Sequence, residues 1–173
     1  VVTVENKDGA AQIVSHLIEV HARRRIVFLR GPERQEDSAW RERGYREALE
    51  LHGLGFDPDL IAYGGFARET GAQAVRDVLE RGVGFDAVFS GDDEAALGAL
   101  SALQEAGRSV PEEVSVVGFD DLPFAPFLTP ALTTVRAPTE QVGREAVRQL
   151  LLVMHGEAAE LLTLLPTQVI LRH

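Results

Sequence analysis

Residues Asp86–Pro138 read DAVFSGDDEAALGALSALQEAGRSVPEEVSVVGFDDLPFAPFLTPALTTVRAP. DAVFS is a short apolar run, expected as a strand over Asp86–Ser90. Asp92–Ala106 places Leu97, Leu100 and Leu103 on one helical face, and Gly107 stops it. Pro111 precedes a second apolar run, Val114–Phe119. A loop rich in Pro and Phe covers Asp120–Ala131, and Leu132–Arg136 is a further short strand. Acidic pairs follow two of these strands: Asp92-Asp93 and Asp120-Asp121. In an open parallel sheet the carboxyl ends of the strands are where ligands bind.

Working outward, the same rhythm holds. Val1–Glu5 is a β-branched strand, Asp8–His21 a helix with Ile13, Leu17 and Ile18 on one side, and Arg25–Arg30 a strand apolar on both faces. Ser38 is the expected N-cap of SAWRERGYREALELHG, with Gly53 its stop. Leu60–Tyr63 is a strand, and Gly64-Gly65 leads into a helix that ends at Gly82. Thr139–His155 is a helix, with Thr139 as a candidate N-cap and Glu140 in its first turn. Gln168–Leu171 is a last strand. Strand and helix alternate throughout, which predicts an α/β fold with a doubly wound parallel sheet.

Composition narrows the function. With 173 residues the chain holds one core or two small lobes. A net charge of −10 opposes nucleic-acid phosphates. The one basic run, Arg23-Arg24-Arg25, reads as compensation of a helix dipole at a carboxyl end. The absence of cysteine excludes disulfides and thiolate metal sites. No apolar run is long enough for a membrane span, and VVTVENKDGAAQ shows no secretion-signal pattern, so a cytoplasmic protein is expected.

As an ordered set, DAVFSGDDEAALGALSALQEAG, VPEEVSVVGFDDLP, PALTTVRAP and GREAVRQLL resemble the LacI/GalR family of bacterial transcription regulators. RRIVFLRGP, SAWRERGYREAL and LPTQVILRH agree. The resemblance covers nearly the whole chain. It implies a core like a type I periplasmic binding protein, mostly the C-terminal lobe with a partial N-terminal lobe. On that pattern residues 1–24 are part of the N-terminal lobe and 25–136 the C-terminal effector-binding lobe. Residues 137–163 are the return helix of the N-terminal lobe, and 164–173 the final strand of the C-terminal lobe. The DNA-binding helix-turn-helix and the hinge helix lie outside this chain. The implied partners are a small-molecule effector, a second copy in a homodimer, and DNA only through that other domain. No cofactor, metal or membrane is expected.

The resemblance also singles out residues. Arg41, three before Gly44-Tyr45, matches an effector-contacting arginine, whose planar fork of donors suits hydroxyl or carboxylate oxygens. Spacing alone equally allows a surface arginine. Phe66, five before Gly71, matches an aromatic ligand wall, although it also suits a core anchor. Asp92 reads as both helix cap and cleft contact. Asp120, first acid of GFDD, matches an effector-binding aspartate able to accept sugar hydroxyls, while Asp93, Glu94 and Asp121 read as scaffold. Phe119 is expected in the core, and the roles of Phe124 and Phe127 stay open. Where some sugar-binding members carry an aromatic after LTTV, this chain has Thr139. Two acids around one arginine favour a neutral polyhydroxylated ligand, which predicts a sugar-like effector.

Three other readings remain. A secreted sugar-binding protein would share the fold. A domain acting only in dimerisation would use the apolar face of Asp92–Ala106. A Mg²⁺-dependent flavodoxin-like enzyme would also place acids at strand ends. Against the enzyme, no GxSxG, HExxH or P-loop occurs, and the five histidines, His16, His21, His52, His155 and His173, are scattered. His16 and His21 are five apart on the expected helix and so should not share a face.

Overall fold

The computed structural model describes residues 1–172. In chain order the elements are β1 (Val2–Val4), α1 (Asn6–Glu19), β2 (Ile26–Arg30), α2 (Glu36–Leu51), β3 (Ile61–Tyr63), α3 (Arg68–Glu80), β4 (Ala87–Ser90), α4 (Asp93–Glu105), β5 (Ser115–Asp120), β6 (Thr133–Arg136), α5 (Thr139–Met154), β7 (Thr163–Leu165) and β8 (Gln168–Ile170). Six strands form the larger sheet in the order β3-β2-β4-β5-β6-β8, while β1 and β7 form a separate pair. All pairings are parallel except β6 with β8.

Strand alternation builds two cores. On one face Ile26 and Phe28 of β2, Ala87 and Phe89 of β4, and Phe119 of β5 pack under Ile13, Leu17 and Tyr45 of α1 and α2. On the other, Val27, Leu29, Val88 and Val116 pack under Val75 and Val78 of α3 and Ala99 and Leu103 of α4. The rings of Phe28 and Phe89 stack, with centroids 5.2 Å apart. Helices on both faces make this the doubly wound sheet that the sequence predicts, with an antiparallel edge strand added.

The chain runs from β2 outward to β3, then returns to β4 on the other side of β2. That reversal is a topological switch point, where crossovers part and leave a crevice at the carboxyl ends of the strands. The crevice lies beyond Arg30 and Ser90.

Several expectations need correction. Residues 1–24 do not form one unit. Only Val2–Val4 joins the small sheet, while α1 is buried against the larger one through Ile13, Val14, Leu17 and Ile18. The apolar stripe of α1 therefore completes the large core, and the chain passes between the two bodies at Glu5. The boundary at 163/164 cuts β7, which pairs with β1; the return passage is Pro166-Thr167, and the expected final strand proper is β8. His173 lies outside the described residues. Ser38 does not cap α2: the helix begins at Glu36 behind Gln35, and Ser38 is buried within it. Pro138 rather than Thr139 occupies the cap position of α5. Two of the three arginines after α1 are engaged away from its carboxyl end. Arg23 donates to the carbonyls of Pro111, Glu112 and Glu113, and Arg25 to that of Gly84.

Candidate functional site

Arg41 is the hub of the crevice. It projects from α2 and is 5% exposed. Nε donates to Asn6 Oδ1 at 2.8 Å, one terminal nitrogen to the Gly91 carbonyl, and the other to Asp120 Oδ1 at 3.4 Å. Its Cζ lies 3.8 Å from the centroid of Phe119 and 5.4 Å from that of Phe66, so aromatic faces bracket the cation. Burial lowers the pKa of the guanidinium, and Asp120, Asp37 and Asp92 oppose that shift.

The four sequence candidates therefore converge, with unequal access. Arg41 and Asp120 line a cleft of about 220 Å³ together with Val2, Val4, Asp37 and Thr139. This cleft lies between the larger sheet and the small β1–β7 body. Phe66 stands 5.4 Å from Arg41, and neither it nor Asp92 lines that cleft. Gly31 and Gly91, at the ends of β2 and β4, leave room for the Phe66 ring; a Cβ on either would run into it. Asp92 is the N-cap of α4, accepting the Ala95 N–H at 3.0 Å. Burial raises its pKa, which the Ala95 N–H and Arg41 oppose.

Asp120 is held in an unusual backbone conformation, φ +108°, and Phe66 and Asp121 also have positive φ, +56° and +59°. Non-glycine residues in such regions cost about 1–3 kcal/mol each and cluster at ligand sites. Asp121 forms ion pairs with Arg136 at 2.7 Å and Arg172 at 2.6 Å. Asp93, fully buried, accepts the Thr134 hydroxyl at 2.6 Å and the Leu122 N–H at 2.7 Å, so it fastens the loop that carries Asp120 and Asp121 to β6. Phe119 lies in the core beneath Arg41, Phe124 is half-buried, and Phe127 is 84% exposed.

Two residues escaped the sequence reading. Asn6 accepts from Arg41 and donates to Asp37 Oδ1 at 2.8 Å and to the Val4 carbonyl at 3.1 Å. Asp37 stands four residues before Arg41 on α2, a spacing that puts both on one helix face and could have flagged it. Nothing local marks Asn6.

The buried acids give a pH dependence. Burial pushes Asp93 up to about 7, against the Thr134 and Leu122 hydrogen bonds. Burial likewise pushes Asp120 up to about 6, against Arg41. Their folded-state values exceed the unfolded ones, so the folded state loses stability as pH rises from the ordinary carboxylate range through those raised values. Stability is expected to rise as pH falls from about 8 through about 6 toward 5. Burial raises Asp121 too, but Arg172 and Arg136 outweigh it and leave it below its ordinary value, so that contribution is lost only in stronger acid. Calorimetric Tm values at pH 8, 6.5 and 5 check this, with Asp93→Asn expected to flatten the curve. A Tm that falls steadily from pH 8 to 5 contradicts it.

Residues 14–173 match the family described as a periplasmic binding protein-like domain. The chain is 41% identical over 159 residues to the helix-turn-helix-type transcriptional regulator CelR of Thermobifida fusca, covering 92% of this chain and 46% of that protein. It is 38% identical over 152 residues to the regulator AscG of Escherichia coli, covering 88% and 45%. The solved structure of a transcriptional regulator CelR–cellobiose complex superposes with a TM-score of 0.94 at 38% identity, covering 99% of this chain and 52% of that one. The chain thus spans slightly under half the length of the relatives it matches in sequence.

Proposed function

Because this chain belongs to the periplasmic binding protein-like family, in the form carried by LacI/GalR-type regulators, we propose that it senses a small neutral sugar-like effector for such a regulator. The ligand sits in the cleft between the larger sheet and the β1–β7 body. Its occupancy controls DNA binding through a domain outside these residues, in a cytoplasmic homodimer. No helix among the described residues is long and apolar enough to cross a membrane.

The observation that carries this reading is the Arg41–Asp120 pair at the cleft wall. At 3.4 Å it is the longest of Arg41's three bonds. It opens to a hydroxyl that accepts from Arg41 and donates to Asp120. Asp37 and Asp120 both face the cleft, which disfavours an anion more than a polyol. The relative solved with cellobiose supports the same class. The proposal also accounts for α5, whose Val147, Leu150, Leu151 and Met154 stay exposed here: in a protein about twice this length, further residues of the N-terminal lobe would cover them.

A thermal-shift panel on the full-length protein tests the ligand class. Neutral mono- or disaccharides are expected to raise Tm, and nucleotides and dicarboxylic acids to leave it unchanged. Stabilisation by an anionic purine or organic acid with sugars inert overturns the reading.

A further inference from the structure

At the opposite end of β5 from Asp120, the carboxyl end of α1 brings together His16 and His21. The sequence reading kept them apart because it continued the helix through His21. The helix stops at Glu19, and Ala22 takes a left-handed conformation, φ +53°. The Arg23 N–H then reaches back to the Leu17 carbonyl at 3.0 Å. This turn folds His21 over the last turn of α1, and the two Nε2 atoms stand 3.2 Å apart with the rings at 78°.

We propose that His16 and His21 form a two-histidine site for a divalent first-row transition-metal ion of the zinc, copper or nickel type. The geometry is the warrant. An ion about 2.0–2.1 Å from each of two nitrogens 3.2 Å apart subtends an N–metal–N angle of about 100°, close to tetrahedral. A bound cation would take the place of the proton shared by the two nitrogens, seated to one side of the line between them, with each ring turning its lone pair toward it. Borderline ions suit imidazole, whereas Mg²⁺ and Ca²⁺ require oxygen ligands.

The pair is preorganised on both sides. His16 is carried on the last turn of α1, and His21 stands in the turn closed by the Arg23 N–H to Leu17 carbonyl bond, with the Arg23 side chain tied to Ser115 Oγ at 3.0 Å and to the Pro111 carbonyl at 2.6 Å. The rings border a pocket of about 280 Å³, lined also by Leu17, Leu100, Pro111 and Leu132, with room for the water molecules that complete the coordination shell. Among the described residues no third His, Cys, Asp or Glu joins the cluster, so the remaining positions are open. Two nearby cations are already engaged: Arg172 pairs with Asp121, and Arg23 faces backbone carbonyls.

Calorimetric titration of Zn²⁺ into the intact, tag-free protein tests the site. One equivalent is expected to bind, with affinity falling at least tenfold in His16→Asn and in His21→Asn. His52→Asn, whose ring meets the Ser15 hydroxyl instead, keeps the wild-type affinity, and millimolar Mg²⁺ does not compete. Long-range ¹⁵N–¹H NMR of the wild-type protein gives a readout that needs no variant: the Nε2 resonances of both residues shift together at one equivalent. Zinc uptake that survives the double substitution overturns the proposal. So does a wild-type protein whose His16 and His21 Nε2 signals are unmoved at excess zinc, which would leave a shared proton between the rings and nothing more.

Discussion

Arg41→Ala is expected to abolish effector binding and to lower stability by about 3 kcal/mol, the scale for removing one partner of a buried ion pair. The substitution leaves Asn6 Oδ1 and the Gly91 carbonyl without their donor and Asp120 without its counterion, and removes the cation held against the Phe66 and Phe119 rings. Arg41→Lys keeps the charge, but a single ammonium cannot span three acceptors in three directions, so it recovers only part of the loss. Asp120→Asn separates binding from folding. It removes the charge and replaces one of the two acceptor oxygens by a donor, and it also relieves the cost of ionising a carboxyl whose pKa burial has raised to about 6. This variant should bind effector roughly 100-fold more weakly, about 2.8 kcal/mol, with an unchanged or higher Tm at pH 7.5. Wild-type affinity in Asp120→Asn, measured by calorimetry, removes Asp120 from the site.

Gly98→Val is expected to lower stability by about 3 kcal/mol or more, the upper end for overpacking a close contact. Gly98 lies where α4 crosses α3, and a Cβ there would run into the Arg68 carbonyl and the Ala72 nitrogen. Gly71 faces the same crossing from α3, against the backbone of Ala95. Backbone atoms cannot turn aside as a side chain can. Helix propensity alone predicts that replacing glycine by alanine inside a helix gains about 1 kcal/mol. Gly143 in α5 has nothing within 4 Å of the position its Cβ would take. Gly143→Ala should therefore raise Tm by roughly 2–4 °C, whereas Gly98→Ala, the same chemical change, should lower it by at least as much. Thermal unfolding of the pair reads the sign directly, and a stabilised Gly98→Ala would mean that the helices can separate.

What could be read from sequence was the part governed by local rules. Val27 and Leu29 alternate with Ile26 and Phe28 because β2 is covered on both faces, and that pattern is visible in RIVFLR. Asp92 begins a helix after a strand, and it caps α4. What escaped depended on long-range partners. β7 is a three-residue strand whose only partner among the described residues is β1, at the other end of the chain. Asn6 carries no local signature and matters because Arg41 reaches it across 35 positions. The placement of α1 was missed for a similar reason: an amphipathic stripe says that a helix is covered, not by which sheet. The His16–His21 pair turned on where one helix stops, a boundary displaced by two residues.

The pairing of β1 with β7 also sets an order of assembly. Val2 meets Thr163, and the Val1 nitrogen donates to the Leu161 carbonyl, 160 positions away. At ribosomal rates of about 5–20 residues per second, β1 waits roughly 10–30 s before its partner exists. In that interval β2 through β6 are already present, each needing only neighbours made shortly before or after. The larger sheet can therefore consolidate before Val2–Val4 meets β7. Because Val2, Thr3 and Val4 line the cleft, one of its walls is tied to the longest-range strand pairing described in the chain.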